Sequence, residues 1–225
     1  MSLILSLETT TNVCSVAIHQ EGKLVASKEN HASQSHSRLL AVFIKDILVE
    51  LDLQASQLDA IAVSQGPGSY TGIRIGVSTA KGLCYALSKP LISVNTLLAM
   101  AYGVNKYAYE ENVVLCPMID ARRMEVYTLA MDTKAKILME ATPLIIDEKS
   151  FSNLLTNNKV VFFGNGAPKC KNIITHTNAY FVNSVEASAV QVGLIAYDYF
   201  IQKKFEDLAY FEPAYLKEYR IGKPK

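Results

Sequence analysis

The pattern of strands and helices in this chain begins twice. Three strand-like apolar runs, 3–8, 13–19 and 24–29, are separated by the polar turns Thr9-Thr10-Thr11-Asn12 and Gln20-Glu21-Gly22-Lys23, which predicts a three-stranded meander. Leu40, Phe43, Ile44, Ile47, Leu48 and Leu51 then recur at helical spacing, with Ser33 or Ser35 placed to cap the start of an amphipathic helix. A strand over 60–64 runs into the turn 65–72, a second helix reaches Leu87, and a strand follows at 91–94. After a helical and then polar connection to about Asn112, strands resume at 113–119, 125–131 and 137–146. A short helix near 148–155, a strand at 160–163 and a long helix over 186–204 complete the pattern. Adding 112 to Glu8 gives Asp120, so an acidic residue closes the first strand of each half before a four-residue polar turn. Identity between the halves is almost nil, so the repeat rests on pattern alone. It predicts an α/β fold of two stacked ribonuclease-H-like units, each a mixed sheet flanked by helices. The lobes would be 1–104 and 105–225, with the C-terminal helix 186–204 a candidate to complete the first.

Half of the 225 residues are apolar and 19% are charged, enough to bury a real core. A net charge of +1 and the absence of Trp leave out the footprint of a protein that grips a phosphate backbone unaided. Nucleic acid, if bound, would be held mostly by a partner, with Lys217, Arg220, Lys223 and Lys225 in the tail as this chain's contributors. Cys14, Cys84, Cys116 and Cys170 are widely spaced with no CxxC and read as reduced, partly buried thiols. The first apolar run is cut at Glu8 with no basic leader, and no stretch approaches the ~18 apolar residues of a membrane span, so a cytoplasmic protein is expected.

The sharpest local signal is Gly66-Pro67-Gly68-Ser69-Tyr70-Thr71-Gly72, a strand-to-helix turn whose glycines would let backbone N–H groups face an anion. The plain alternative is a tight turn with Ser69 or Thr71 as a helix cap. Glu8 and Asp120, at equivalent strand ends, could hold a metal or polarise a water near a phosphate, or could be turn-forming groups. Gly164-Asn165-Gly166-Ala167 is a third small-residue turn able to approach an adenosine, or a plain loop. The histidines His19, His31, His36 and His176 form no HxxxH or HExxH pair.

Two helices carry a possible contact surface. In the second, Gly72, Gly76, Ala80 and Cys84 repeat every four residues, and each interior Gly costs about 1 kcal/mol relative to Ala, so something must approach closely: the chain's own sheet or a partner. In the first, the stripe centred on Leu40 leaves Leu39, Val42 and Val49 on the opposite face. The candidate interface is therefore Leu39, Val42 and Val49 with Ile73, Gly76, Val77 and Ala80, and Gly82 is a further small residue for close helix packing.

Leu-Glu-Thr-Thr at 7–10, Gly66 to Arg74, Asp120-Ala121-Arg122-Arg123-Met124-Glu125-Val126-Tyr127 and Pro213-Ala214-Tyr215-Leu216-Lys217 resemble, in this order and over nearly the whole chain, the TsaB (YeaZ) family. The resemblance implies the actin/sugar-kinase-like duplicated fold. It also implies a non-catalytic scaffold or activating subunit in tRNA threonylcarbamoyladenosine modification, dimerising through its N-terminal-lobe helices with the catalytic paralogue TsaD. Further implied partners are TsaE, an ATPase, and tRNA reached through the complex, with a homodimer when TsaD is absent. The HxxxH metal ligands of TsaD fall on Thr96 and Met100, a hydroxyl and a thioether that suit a divalent ion poorly, so no metal and no catalysis by the chain alone is expected. No cofactor is expected on the isolated chain, and ATP or ADP only in the complex. Glu8 replaces the more usual Asp of the family. Two readings compete: an autonomous nucleotide-dependent ATPase or kinase of the same fold, and a metallopeptidase of glycoprotease type. The missing phosphate-hairpin glycine argues against the first and the missing HxxxH against the second.

Overall fold

Strands β1 (Leu3–Glu8), β2 (Cys14–Gln20) and β3 (Lys23–Asn30) form the expected meander in the computed structural model, which describes residues 2–31, 36–105 and 112–217. The caps expected at Ser33 or Ser35 and the tail residues Arg220, Lys223 and Lys225 lie outside the described residues. β1 and β2 are buried at almost every position because helices cover both faces of their sheet, whereas β3, at the edge, alternates between exposed and half-buried. Next come α1 (His36–Glu50), β4 (Ala60–Gly66), α2 (Tyr70–Leu87) and β5 (Leu91–Asn95), giving the order β3-β2-β1-β4-β5 with β4 parallel to β1.

The second half has β6 (Val113–Asp120), β7 (Glu125–Asp132), β8 (Ile137–Ile145), β9 (Lys159–Phe163) and β10 (Ala179–Phe181). Its sheet, β10-β9-β6-β7-β8, repeats the first strand for strand, with β9 parallel to β6 and β7 antiparallel to it. This is the duplicated actin/sugar-kinase-like fold, and Glu8 and Asp120 end equivalent strands. α4 (Ser152–Leu155), α5 (Ala167–Cys170) and β10 are three or four residues long, too short for α5 and β10 to show a period in the sequence. The last helix, α6 (Ala189–Ile201), is shorter than the expected 186–204, because Ser188 and Gln191 close a capping box at its start and Lys203 turns left-handed beyond its end.

α1 and α2 cover one face of the first sheet around Leu5, Leu7, Leu40, Ile47, Ile61 and Ile73. Between the sheets two helices change places. α3 (Thr96–Asn105), from the first half, packs on β6 and β7, and α6, from the second, packs on β1, β2 and β4. Val192, Ile195 and Ala196 of α6 bury Ile4, Ala62 and Val94, while Leu97 and Met100 of α3 bury Leu115 and Phe163. At about 1.5–3 kcal/mol for each large aliphatic side chain, this exchange ties the halves together. His19 of β2, fully buried, lies against Gly193 of α6, where even a methyl group would overlap its ring, and burial pushes its pKa down to about 4. No helix among the described residues is long and apolar enough to cross a membrane.

Candidate functional site

The glycine turn does connect a strand to a helix: Ser69 caps α2, accepting from the Gly72 amide at 3.3 Å. Its backbone groups, however, face the chain itself. The Ser69 amide donates to the Thr10 carbonyl at 2.6 Å, and the Thr9 hydroxyl donates to the Gly72 carbonyl at 2.7 Å. A methyl at Gly68 or Gly72 would overlap the carbonyl oxygen of Thr10 or Thr9, and one at Gly76 the Thr9 hydroxyl; one at Gly66 would crowd the Ala214 carbonyl. The first hairpin turn and the Ala214 carbonyl thus give the glycines at 66, 68 and 72 and the Ser69 amide an internal role in packing this turn. Glu8 is sealed in the same way. Its carboxylate, 0% exposed, accepts from the Thr10 amide at 2.5 Å, the Thr10 hydroxyl at 2.6 Å and the Ser64 hydroxyl. Burial holds its pKa above the usual 4.5, and those hydrogen bonds oppose the shift only in part. Glu8 therefore knits the first turn to β4 rather than presenting a charge at a strand end.

Asp120 is open where Glu8 is closed. It accepts from the Arg122 amide at 2.9 Å and pairs with Lys169, whose ammonium also donates to the carbonyls of Arg123 at 2.7 Å and Glu125 at 2.6 Å. Gly164, at φ 97°, and Gly166 press on the Met118 carbonyl and the Ile119–Asp120 backbone, where side chains would collide. Close packing on β6 accounts for both glycines.

Thr96 and Met100, the two positions the family resemblance sets against metal ligands, are 0% and 1% exposed, and Met100 lies among Leu115, Ile119 and Phe163. The Thr96 hydroxyl has no hydrogen-bond partner. A lone hydroxyl and a thioether in an apolar enclosure do not fit a divalent ion. The four cysteines are buried free thiols, pushed up to about 11 at Cys14 and Cys170, about 12 at Cys84 and higher still at Cys116 by burial, so they stay protonated at neutral pH.

The two N-terminal helices separate the interface candidates. Val42 and Val49 are 46% and 70% exposed on α1. Leu39 is half-buried against the first core, on the shoulder of the Leu40 stripe, which corrects its place on the back face. Ile73, Val77 and Ala80 are buried in the same core and Gly76 is accounted for by Thr9, so these four contribute to the chain's own packing rather than to an exposed surface. α2 turns Arg74, Ser78, Gly82 and Tyr85 outward. Gly82 differs from Gly72 and Gly76, since among the described residues a methyl there would meet nothing within 4 Å. Between the starts of the two helices lies a depression of about 500 Å³ bordered by Ser37, Tyr70, Arg74 and Ser78.

Sequence periodicity gives no sign of the segment after α6, which returns across the first half as an irregular strap. Glu206 bridges to Leu91, Phe211 enters the first core, and Lys81 donates to the Phe211 carbonyl at 3.1 Å. The Ala214 amide donates to Gln65 at 2.9 Å, the Tyr215 ring lies 5.0 Å from that of Tyr70, and Arg74 donates to the Tyr215 hydroxyl at 3.2 Å. Lys217 then pairs with Glu125 of the second half. The signals available in the sequence are the 213–217 motif and the aromatics Phe205, Phe211 and Tyr215 beyond the last helix.

The family model described as "TsaD: tRNA N6-adenosine threonylcarbamoyltransferase" matches residues 25–223. The chain is 39% identical over 124 residues to the tRNA threonylcarbamoyladenosine biosynthesis protein TsaB of Haemophilus influenzae, covering 55% of this chain and 51% of that one. It thus spans about half the length of several curated relatives it matches. To the TsaB of Buchnera aphidicola subsp. Baizongia pistaciae it is 29% identical over 97% of this chain and 99% of that one. The solved structure of YeaZ from Pseudomonas aeruginosa superposes with a TM-score of 0.81 at 25% identity, covering 96% of this chain and 100% of that one. With both sheets, the sealed first turn and the strap over the glycine turn accounted for, the chain belongs to the TsaB (YeaZ) family of tRNA threonylcarbamoyladenosine biosynthesis proteins, within the wider TsaD family.

Proposed function

We propose that this chain is a non-catalytic, partner-binding subunit of the machinery that forms threonylcarbamoyladenosine in tRNA, pairing with a TsaD-type catalytic chain through the outward faces of α1 and α2. A TsaE-type ATPase joins the pair, and tRNA is engaged by the complex rather than by this chain alone. Gly82 carries the reading. It stands inside α2, where glycine costs about 1 kcal/mol relative to Ala, and among the described residues nothing lies within 4 Å of where its Cβ would be. Gly72 and Gly76 have an internal reason in the Thr9 loop, so an external partner is the remaining account of Gly82, beside the exposed Val42, Val49 and Tyr85. The sealed Glu8 turn supports the non-catalytic part, since the acid at the first strand end is buried and hydrogen-bonded within the chain.

The test is Val42→Glu, which places a charge in the contact without disturbing the fold, because the side chain points away from its own core. Wild-type chain should co-purify with a TsaD-type chain, and the variant should bind at least roughly 100-fold more weakly, since an unpaired ion in a desolvated contact costs several kcal/mol. Circular dichroism should be unchanged. A folded variant that pairs as well as wild type ends the assignment of this face.

A further inference from the structure

The turn between β6 and β7 is built against its own local preference. Arg122 and Arg123 both have left-handed backbones, φ 66° and 47°. Two successive residues of this hand are normally Asn-Gly or Asp-Gly, because a larger side chain crowds the neighbouring carbonyl. The turn between β2 and β3 follows that rule with Glu21 at φ 50° and Gly22 at φ 76°.

Lys169 holds the arginine turn from inside, its ammonium gathering the Asp120 carboxylate and the carbonyls of Arg123 and Glu125. The Asp120 amide is fixed in turn by Asn165 at 2.9 Å. With those carbonyls drawn inward, both arginine side chains are displayed outward, and among the described residues neither guanidinium has a hydrogen-bond or ion-pair partner. The neighbouring carboxylates are already paired, Asp120 with Lys169 and Glu125 with Lys217. Asp147, one turn away, bonds Ser150 and the Lys149 amide. Arg122, Arg123, Lys169 and Lys217 against Asp120, Glu125 and Asp147 leave one positive charge in excess around this turn, and the two cations without an ion-pair partner among the described residues are the arginines themselves.

We propose that the Arg122–Arg123 turn is a contact site for the phosphate backbone of RNA, an assignment that rests on the tRNA-modification reading above and gives this chain its share of the grip. Guanidinium forks match pairs of phosphate oxygens, and a turn held by Lys169 presents them already ordered. Two contacts bind weakly on their own. They count when a partner chain supplies the rest.

The test uses the complex of the full chain with its TsaD-type partner and, as probe, a labelled unmodified tRNA transcript with adenosine beside the anticodon, titrated between 50 and 200 mM salt. Reversal of both charges (R122E with R123E) should weaken binding at least 10-fold and reduce the slope of log affinity against log salt by about 1.4–1.8, the value for two phosphates. R122K with R123K should keep most of the slope. R122N with R123G should lose it while raising the thermal midpoint, because the turn then has its preferred residues. Unchanged affinity and slope in the charge-reversed complex overturn the site while leaving the pairing function intact. Lost pairing with an unchanged slope also overturns it and makes the turn a contact for an acidic protein surface. If wild-type chains do not pair, the function reading falls, and the same titration on the chain alone, at lower salt, decides the turn.

Discussion

The two halves share one strand order and differ in what is laid over it. The first sheet is covered by α1 and α2, of 15 and 18 residues, while the same places in the second hold α4 and α5, of four residues each. The strand-end acids differ in the same sense: Glu8 is fully buried in a hydrogen-bonded turn, and Asp120 is 49% exposed at the side chain beside Lys169. The sheet order is what each half needs in order to receive the helix of the other, since α3 and α6 pack across the joint. Outer helices carry no such constraint. The long pair leaves Val42, Val49 and Tyr85 exposed on its outward side, the face proposed above for association, and the short pair closes a core.

The acids give the sharpest way to break this comparison. Glu8→Ala removes the acceptor of three hydrogen bonds in a site closed to water and should destabilise by about 3 kcal/mol or more. Asp120→Ala should cost under about 1 kcal/mol, because its ion pair is partly solvated. Urea unfolding of the two variants checks this, and equal losses would show that the strand ends are built alike.

A second expectation concerns pH. His19, held at about 4 against an ordinary 6.5, binds its proton more weakly when folded, so its contribution is complete above pH 6.5 and is lost as pH falls toward 4. The loss should be roughly 3 kcal/mol, at 1.36 kcal/mol per pKa unit. Glu8 acts with the opposite sign: its raised pKa gives a contribution complete below 4.5 and lost as pH rises through the folded value. Stability measured from pH 7 to pH 4 should therefore fall less steeply in His19→Gln and more steeply in Glu8→Gln. A wild-type loss that survives intact in His19→Gln would move the acid sensitivity to the second half.

The smallest effect separates glycines within one helix. Gly82→Ala should stabilise the isolated chain by about 0.5–1 kcal/mol, while Gly72→Ala should destabilise it by overlap with the Thr9 carbonyl. Thermal melts check both, and pairing with the TsaD-type chain should weaken in Gly82→Ala. A destabilised Gly82→Ala would mean that the outward face of α2 is already occupied by its own chain.

Much of the fold is legible in local pattern. Strands β1 to β9 and helices α1 to α3 follow from apolar runs and helical spacing, and the offset from Glu8 to Asp120 marks equivalent strand ends. The glycine turn and its Ser69 cap are legible too, because cap and turn chemistry act within a few residues. What fills that turn is not legible. The Thr9 hydroxyl reaches a carbonyl 63 residues away, and the Ala189 amide, at the start of α6, reaches the Ser15 hydroxyl 174 residues away. Periodicity says that a residue is apolar-facing or small, without saying which distant backbone will meet it. For that reason Gly76 and Gly82 look alike in the sequence, and Leu39 looks like Val42. The sequence determined two mixed sheets in tandem and the family, because strand and helix periods and turn motifs are local properties of the chain. Tertiary structure alone decided that Thr9 and Thr10 pack into the glycine turn, that α3 and α6 exchange sheets, and that Gly82 faces outward, because those outcomes depend on which long-range contacts exclude water from which surface.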